Sequence, residues 1–344
     1  MNPFKAWNQF FFTPVSARPL GIFRIVFGVL MIIYLLVMTV EFDHWYTDQG
    51  LLQGAESREA AGPYRISPLQ FVHDPYTPKA FWVVTFAAAV GMTLGWRTRL
   101  MSFIFWVGLL SFYHRNPSSN GGPDTTPVLF SFYMMLCPSG AAYSIDARRE
   151  TRRRGTEADP IIVPWSLRLL QMQLCLIYFQ SCVLKCQGPT WLNGTAAHYA
   201  LFNYEFNWFN FQWLGGYPML VNFMTHSALM IEFALAFWLW FKPTRRWAII
   251  GGLLLHAGIR PILNVTGFGE LMCATYLAFL DHEEATALLK ALDPRTWLAR
   301  LGLRRPEWSF LRGPEPSLPL PSWQQRERTF DRDGRAVPEP IVVR

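Results

Sequence analysis

A lysine near the end of a long apolar run is the residue of this chain with the most chemistry to offer. Lys185 stands in Tyr178-Phe179-Gln180-Ser181-Cys182-Val183-Leu184-Lys185-Cys186. Desolvation lowers a lysine's pKa, and a neutral amine can act as a general base. The alternative is a lysine that snorkels outward and keeps its head in water. Five more charges stand inside apolar runs: Arg24, Arg168, Glu232, Arg260 and Glu270. A charge at the centre of a bilayer costs about 2.5–3.5 kcal/mol or more, so each is a functional candidate. Gln171, Gln173, Gln180, Asn222, His226 and His256 are polar companions in the same runs. Arg24 and Arg168 lie close enough to a span end to snorkel. Glu232 and His256 face the middle of adjacent runs, either as a structural pair or as part of a site. Cys182 and Cys186 flank Lys185 at a spacing that makes a poor disulfide on a helix, so two packed thiols are expected.

Other chemistries find no support. None of the five cysteines forms a zinc-type CxxC pair, so no metal is expected. There is no GxGxxG, Walker A, HExxH or GxSxG in a suitable context. The net charge of +7 does not indicate nucleic acid, because the basic residues sit in short clusters between apolar runs. That is the topological use of positive charge in a membrane protein.

The elements that must position these residues are membrane helices. Half of the 344 residues are hydrophobic and only 16% are charged, against about 25% in a soluble chain. Fifteen Trp, 28 Phe and 12 Tyr suit membrane–water interfaces. Apolar runs predict spans over 19–40, 80–96, 101–113, 125–142, 165–184, 218–241, 247–263 and 267–280, the last short and carrying Glu270. The first has 22 residues, about 33 Å of helix, enough for a hydrocarbon core of about 30 Å. Residues 2–15 have no small-residue cleavage site. They read as an aromatic interfacial helix or as an ordinary aromatic leader. Residues 41–78, 114–124, 146–159 and 186–217 read as loops. Residues 283–344 read as a Pro- and Arg-rich tail of surface helix or disordered chain.

Most Lys and Arg fall on one side if both termini are cytoplasmic and the chain crosses eight times. The expected fold is therefore an all-α integral membrane protein of about eight transmembrane helices, with the lipid bilayer as its partner. The outer segments, Trp191-Leu192-Asn193-Gly194 and residues 203–217, are crowded with aromatics and Asn. They form either a lid over a pocket for an apolar ring or an ordinary aromatic belt.

The ordered set of short motifs resembles a known family. It comprises Arg-Pro-Leu-Gly-Ile-Phe-Arg-Ile-Val-Phe-Gly (residues 18–28), His114-Arg115-Asn116 followed by Asn120-Gly121-Gly122, Leu170-Gln171-Met172-Gln173-Leu174 leading to Tyr178-Phe179 and Lys185, and then Trp191-Leu192-Asn193-Gly194. Together they resemble the HTTM domain, the membrane domain shared with vitamin K-dependent γ-glutamyl carboxylase, over residues 1–282. In the carboxylase, a lysine of this segment deprotonates vitamin K hydroquinone. Oxygen then turns the quinol into a strong base that removes a γ-proton from a peptide glutamate, to which carbon dioxide adds. The resemblance implies a short bacterial-type homologue in the cytoplasmic membrane. Lys185 would be its base, with Arg24, Gln171, Trp191, Asn193, Glu232 and His256 lining or supporting the pocket. It also implies reduced vitamin K or a menaquinol-type quinol as cofactor, and a peptide or protein substrate on the non-cytoplasmic side.

Two departures qualify it. The carboxylase has a histidine where this chain has Gly121, so that contribution is either missing or supplied elsewhere, by His114 or His198. The carboxylase also continues into a large luminal region that binds propeptide, and here only a short basic tail follows. A rival reading is a non-catalytic membrane factor for the maturation, export or immunity of a secreted peptide. A transporter is a weaker rival, since no inverted repeat with paired broken helices is visible.

Overall fold

The computed structural model describes residues 2–119, 121–155, 160–203, 207–265 and 267–293, together with the strand Val342–Val343. Asn120 of the Asn120-Gly121-Gly122 motif, Thr266 and most of the predicted tail lie outside the described residues.

Helix α1, Pro3–Phe12, begins where the Asn2 side chain accepts the Phe4 amide (3.0 Å) and Pro3 presets the first turn. Phe11 is buried, while Phe4, Trp7 and Phe12 are exposed. This is the one-sided distribution of a helix lying in an interface. Val15–Ser16 (β1) then pairs antiparallel with Ile161–Ile162 (β2), and Val342–Val343 (β3) lies parallel on β2.

Helix α2, Arg18–Val37, is the central staff. Leu20, Phe23, Phe27, Met31 and Leu35 recur at helical spacing and are buried. It packs on α3, Tyr76–Leu94, through Gly28, whose hydrogen faces Thr93 and leaves no room for a Cβ. Gly95, at φ 70°, ends α3 in the left-handed conformation. A tight turn leads to α4, Thr98–Arg115, and α5, Gly122–Leu136, follows. The fourth predicted span is shorter than expected, because Pro138 cannot continue the helix. Its remainder is a 3-10 turn, Ser139–Ala141.

The second half contains α6 (Trp165–Cys186), α7 (Pro218–Phe237), α8 (Lys242–Ile262) and α9 (Phe268–Thr275). A 3-10 turn, Trp238–Trp240, prolongs α7, and another, Tyr276–Phe279, prolongs α9. α6 packs along α7, α7 along α8 and α8 along α9, which closes the bundle against α2 and α5. α10, His282–Leu292, packs on α2.

Among the described residues, four helices are long and apolar enough to cross a membrane: Arg18–Val37, Tyr76–Leu94, Trp165–Cys186 and Pro218–Trp240. Phe268–Phe279 is a shorter apolar helix. Three loop expectations are corrected: residues 41–78 contain the helices Phe42–Tyr46 and Gly54–Ala61, and residues 186–217 contain Pro189–Leu192 and Ala196–Leu201. Residues 146–159 read as a charged loop, yet Ile145–Arg154 is a helix. Ser144 caps it by accepting the Ala147 amide (2.8 Å), Glu150 pairs with Arg154 one turn on, and Gly155 ends it at φ 70°. Asp146, in its first turn, reaches across to accept the amides of Arg97 and Thr98 at 2.9 and 2.7 Å. It thereby caps the start of α4.

Candidate functional site

Lys185 is the penultimate residue of α6. A helical Cα–Cβ bond tilts toward the helix N-terminus, so this side chain starts back into the bundle rather than out to water. It ends in an ion pair with Glu232 of α7, Nζ to Oε1. The lysine side chain is 23% exposed and the carboxylate side chain 9%. The ammonium also lies 4.8 Å from the centre of the Trp191 ring, a cation–π contact.

The segment after α6 fixes that ring. Gly188 breaks the helix, and Pro189–Leu192 forms one short turn. The Asn193 side chain accepts the Thr195 amide at 3.1 Å. Gly194 sits at φ 79°, and a Cβ there would press into the Asn222 side-chain amide and lie 2.8 Å from His226 Cε1. The Ala197 amide donates to Thr225 Oγ1 at 3.0 Å. The Trp-Leu-Asn-Gly motif thus clamps the outer loop onto α7 and holds Trp191 over Lys185.

Glu232 is not fully answered. Its Oε1 meets the ammonium, but its buried Oε2 has no hydrogen-bond partner among the described residues. Leaving such an oxygen without a donor costs on the order of 1–3 kcal/mol or more. A second polar cluster lies in the same half of the bundle. The Tyr178 hydroxyl is 2.5 Å from the Tyr276 hydroxyl and 2.9 Å from His256 Nε2, and all three side chains are buried. Gly252 makes room for Tyr276, since a Cβ there would come within 2.8 Å of its Cζ.

The other predicted residues are engaged elsewhere. Arg24 is fully buried and donates to the carbonyls of Ser139 (2.7 Å), Ala142 (3.2 Å) and Tyr143 (2.7 Å). It ties α2 to the chain leaving α5. Gln171 donates to the Ala278 carbonyl (2.7 Å) and accepts from Arg168 (2.9 Å). Glu232 and His256 do not pair, because the ammonium and Tyr178 take them separately. Cys182 and Cys186 are free thiols. His114 meets the Ile66 carbonyl at 3.1 Å, and His198 stacks 4.4 Å from Phe202. Tyr276 is the residue that sequence reasoning missed. It lies within the weakest predicted span and carries no charge to mark it. A recess of about 640 Å³ between Thr39–His44 and Lys79, Trp82 and Val83 shares no residue with the Lys185 cluster.

These features define a helical membrane protein with a half-buried lysine–glutamate ion pair between two adjacent helices. Residues 12–283 match the model of the HTTM domain, and the chain belongs to that family. It is therefore a membrane protein related to the membrane domain of vitamin K-dependent γ-glutamyl carboxylase. No curated protein and no solved structure matches it.

Proposed function

We propose that this protein crosses a bacterial cytoplasmic membrane eight times and uses Lys185 as a base toward a membrane-borne quinol in carboxylase-like chemistry. Both termini would be cytoplasmic, and residues 283–344 would form a cytoplasmic tail. The shorter helices α5 and α9 and the more polar α4 and α8 complete the eight spans. The placement of the basic clusters at Arg97, Arg148–Arg154 and Lys242–Arg246 supports that topology.

The observation that carries the chemistry is the unanswered carboxylate oxygen of Glu232 beside an inward-turned lysine. A ring hydroxyl fits this donor set, since it would give Glu232 Oε2 the hydrogen bond it lacks and put an exchangeable proton beside Lys185. A reduced quinone bound there would supply that proton and the electrons for an oxygen-dependent reaction. In this reading the hydroxyl O–H breaks and an N–H forms on a neutral Lys185. Glu232 holds the amine in place, Trp191 covers it with an aromatic face, and Asn193 keeps the covering turn folded. His256 stands behind the pair through Tyr178. Arg24 and Gln171 hold the scaffold without touching the amine. A peptide glutamate on the non-cytoplasmic side would be the acceptor.

The test uses purified protein in lipid, supplied with reduced vitamin K or menaquinol and oxygen. Epoxide should form with wild type and not with Lys185→Ala, with insertion of the variant confirmed. Full activity in the variant would sink the assignment of the base. No epoxide from either protein would leave the peptide-maturation factor as the leading function.

A further inference from the structure

The recess between the end of α2 and the start of α3 takes no part in the proposed chemistry, and its lining is graded from polar to apolar. It stands where two of the long apolar helices meet water, since α2 ends at Val37 and α3 begins at Tyr76. Glu41, Asp43 and Lys79 line its rim, and Val40, Trp82 and Val83 line its apolar part. Trp82 and Val83 follow Lys79 by three and four residues, so one face of α3 runs from an ammonium at its water end to an isopropyl group one turn deeper. Val37, Val40 and Val83 are exposed, and beside spans this apolar the solvent they meet is lipid. The volume of about 640 Å³ falls within the range of small-molecule sites.

The rim suits a cation with N–H groups to give. Glu41 Oε2 accepts from Trp45 Nε1 (2.9 Å), and Asp43 Oδ2 accepts from Lys79 Nζ (2.8 Å). The other oxygen of each carboxylate has no hydrogen bond among the described residues. Two carboxylates against one ammonium leave the rim with an excess of negative charge, and α2 adds the negative end of its dipole. An ammonium has three N–H groups, so Lys79 can meet an anion while it holds Asp43. Both side chains of that pair are about half exposed, so a ligand reaches them without breaking it. The apolar wall is fixed: Trp82 Nε1 donates to the Leu35 carbonyl (3.0 Å), and its ring stacks 5.0 Å from Phe86.

We propose that this recess binds an aminophospholipid of the phosphatidylethanolamine class. Its primary ammonium sits between Glu41 and Asp43, its phosphate lies beside Lys79, and its acyl chains leave past Val83 into the bilayer. The gradient along the recess calls for an amphiphile standing along the membrane normal, and the rim chooses among the amphiphiles a membrane holds. An anionic phosphatidylglycerol brings no cation for the two carboxylates. The quaternary ammonium of phosphatidylcholine has no N–H to donate. A head group without chains leaves Val40, Trp82 and Val83 uncovered. The recess shares no residue with the Lys185 cluster, so the proposal stands whether or not Lys185 acts as a base.

Native mass spectrometry of the full chain in detergent tests the site. Phosphatidylethanolamine, phosphatidylcholine and phosphatidylglycerol with identical acyl chains are offered in equal amounts. Wild type should retain phosphatidylethanolamine over either of the others by about fivefold, the upper worth of a partly exposed charge pair. Glu41→Gln combined with Asp43→Asn should bring the three lipids to within about twofold of one another. Val83→Trp fills the recess and leaves the charges alone, and it should remove the same preference. All three positions are exposed, so the variants keep the fold, which their thermal unfolding checks. Glycerophosphoethanolamine, the same head group without chains, should not be retained. Equal retention of the three lipids by wild type, or a preference for phosphatidylglycerol, would overturn the proposal. So would a phosphatidylethanolamine preference that survives both variants, retention of the chainless head group as firmly as the lipid, or displacement of the lipid by menaquinol.

Discussion

Both halves of the bundle bury charge, and they use different side chains to do it. In the half built from α2 to α5 the buried cations are Arg24 and Arg115, each fully inaccessible. Arg24 is held by three main-chain carbonyls, and Arg115 by Asp48 (3.0 Å) and the Leu52 carbonyl (2.8 Å). Some of their N–H groups remain unpaired, but a guanidinium cannot shed its proton in a protein. These are fixed charges that fasten chain segments together. In the half built from α6 to α9 a half-buried lysine stands with a buried glutamate, two tyrosines and a histidine, and every one of these groups can exchange a proton. The first half also holds exchangeable carboxyls, Asp48 on Arg115 and Asp124, whose Oδ1 accepts from the Tyr34 hydroxyl (3.1 Å). Under the proposed reading, a charge within a span marks function when its proton is labile and its hydrogen bonds are incomplete. A permanently charged group with main-chain partners marks architecture.

The sharpest way to break that comparison is to remove a charge from each half. Arg24→Ala strands three buried carbonyls and should cost roughly 4 kcal/mol or more, read as a large fall in thermal unfolding temperature in detergent. Arg24→Lys should recover only part, since an ammonium cannot reach the same spread of carbonyls. A mild Arg24→Ala would mean the first half is not held by its arginine. In the second half, Lys185→Met leaves Glu232 unanswered and should cost about 3 kcal/mol. Adding Glu232→Leu should return stability to within about 1 kcal/mol of wild type, because an apolar pair of similar size needs no desolvation. Both of these variants should lack epoxide formation. A double variant no more stable than the single one would show that the pair is architecture after all.

Much of this contrast was legible in the sequence, and the missing parts share a physical cause. Hydropathy located the helices because lipid imposes a minimum apolar length. Lys185, Glu232 and His256 stood out because charge and polarity are rare in such runs. The partners did not stand out. Lys185 and Glu232 are 47 residues apart, and only the antiparallel packing of α6 on α7 brings them together. Tyr276 was hidden because one more aromatic in an aromatic chain carries no signal until its hydroxyl has a neighbour. The helix Ile145–Arg154 was masked by its arginines. Its stability comes from the Ser144 cap, the Gly155 stop and the carboxylate that Asp146 lends to α4, and none of these has hydrophobic periodicity.

A smaller effect sharpens the comparison at the covering loop. Gly194→Ala forces a Cβ into Asn222 and His226 at a left-handed φ of 79°. Left-handed geometry alone costs about 1–2 kcal/mol for an L residue. Unlike a change in the first half, this one should also move chemistry, because it shifts Trp191 from Lys185. Tryptophan fluorescence and epoxide formation should change together. Normal activity with lowered stability would mean Trp191 does not cover the amine.

The smallest expected effect sits outside both halves and sets the baseline for them. Asp281 caps α10 by accepting the Glu284 amide (2.9 Å) and pairs with Lys242 (2.9 Å). Partial burial works to raise its pKa, but the Glu284 amide and the Lys242 ammonium outweigh it and hold the carboxyl below its ordinary value. A lowered folded pKa stabilises above the unfolded value of about 3.9, and the contribution disappears as pH falls through the folded value. Asp281→Ala should therefore cost about 1 kcal/mol near neutral pH, and the difference from wild type should vanish in acid below about pH 4. Lys242→Ala should leave stability close to that of wild type, because its side chain is 65% exposed. Unfolding temperatures of the three proteins across pH check both statements. If Asp281→Ala cost as much as Lys185→Met, depth in the bilayer would not be what gives the buried pair its weight, and the distinction between labile and fixed charge would have to rest on chemistry alone.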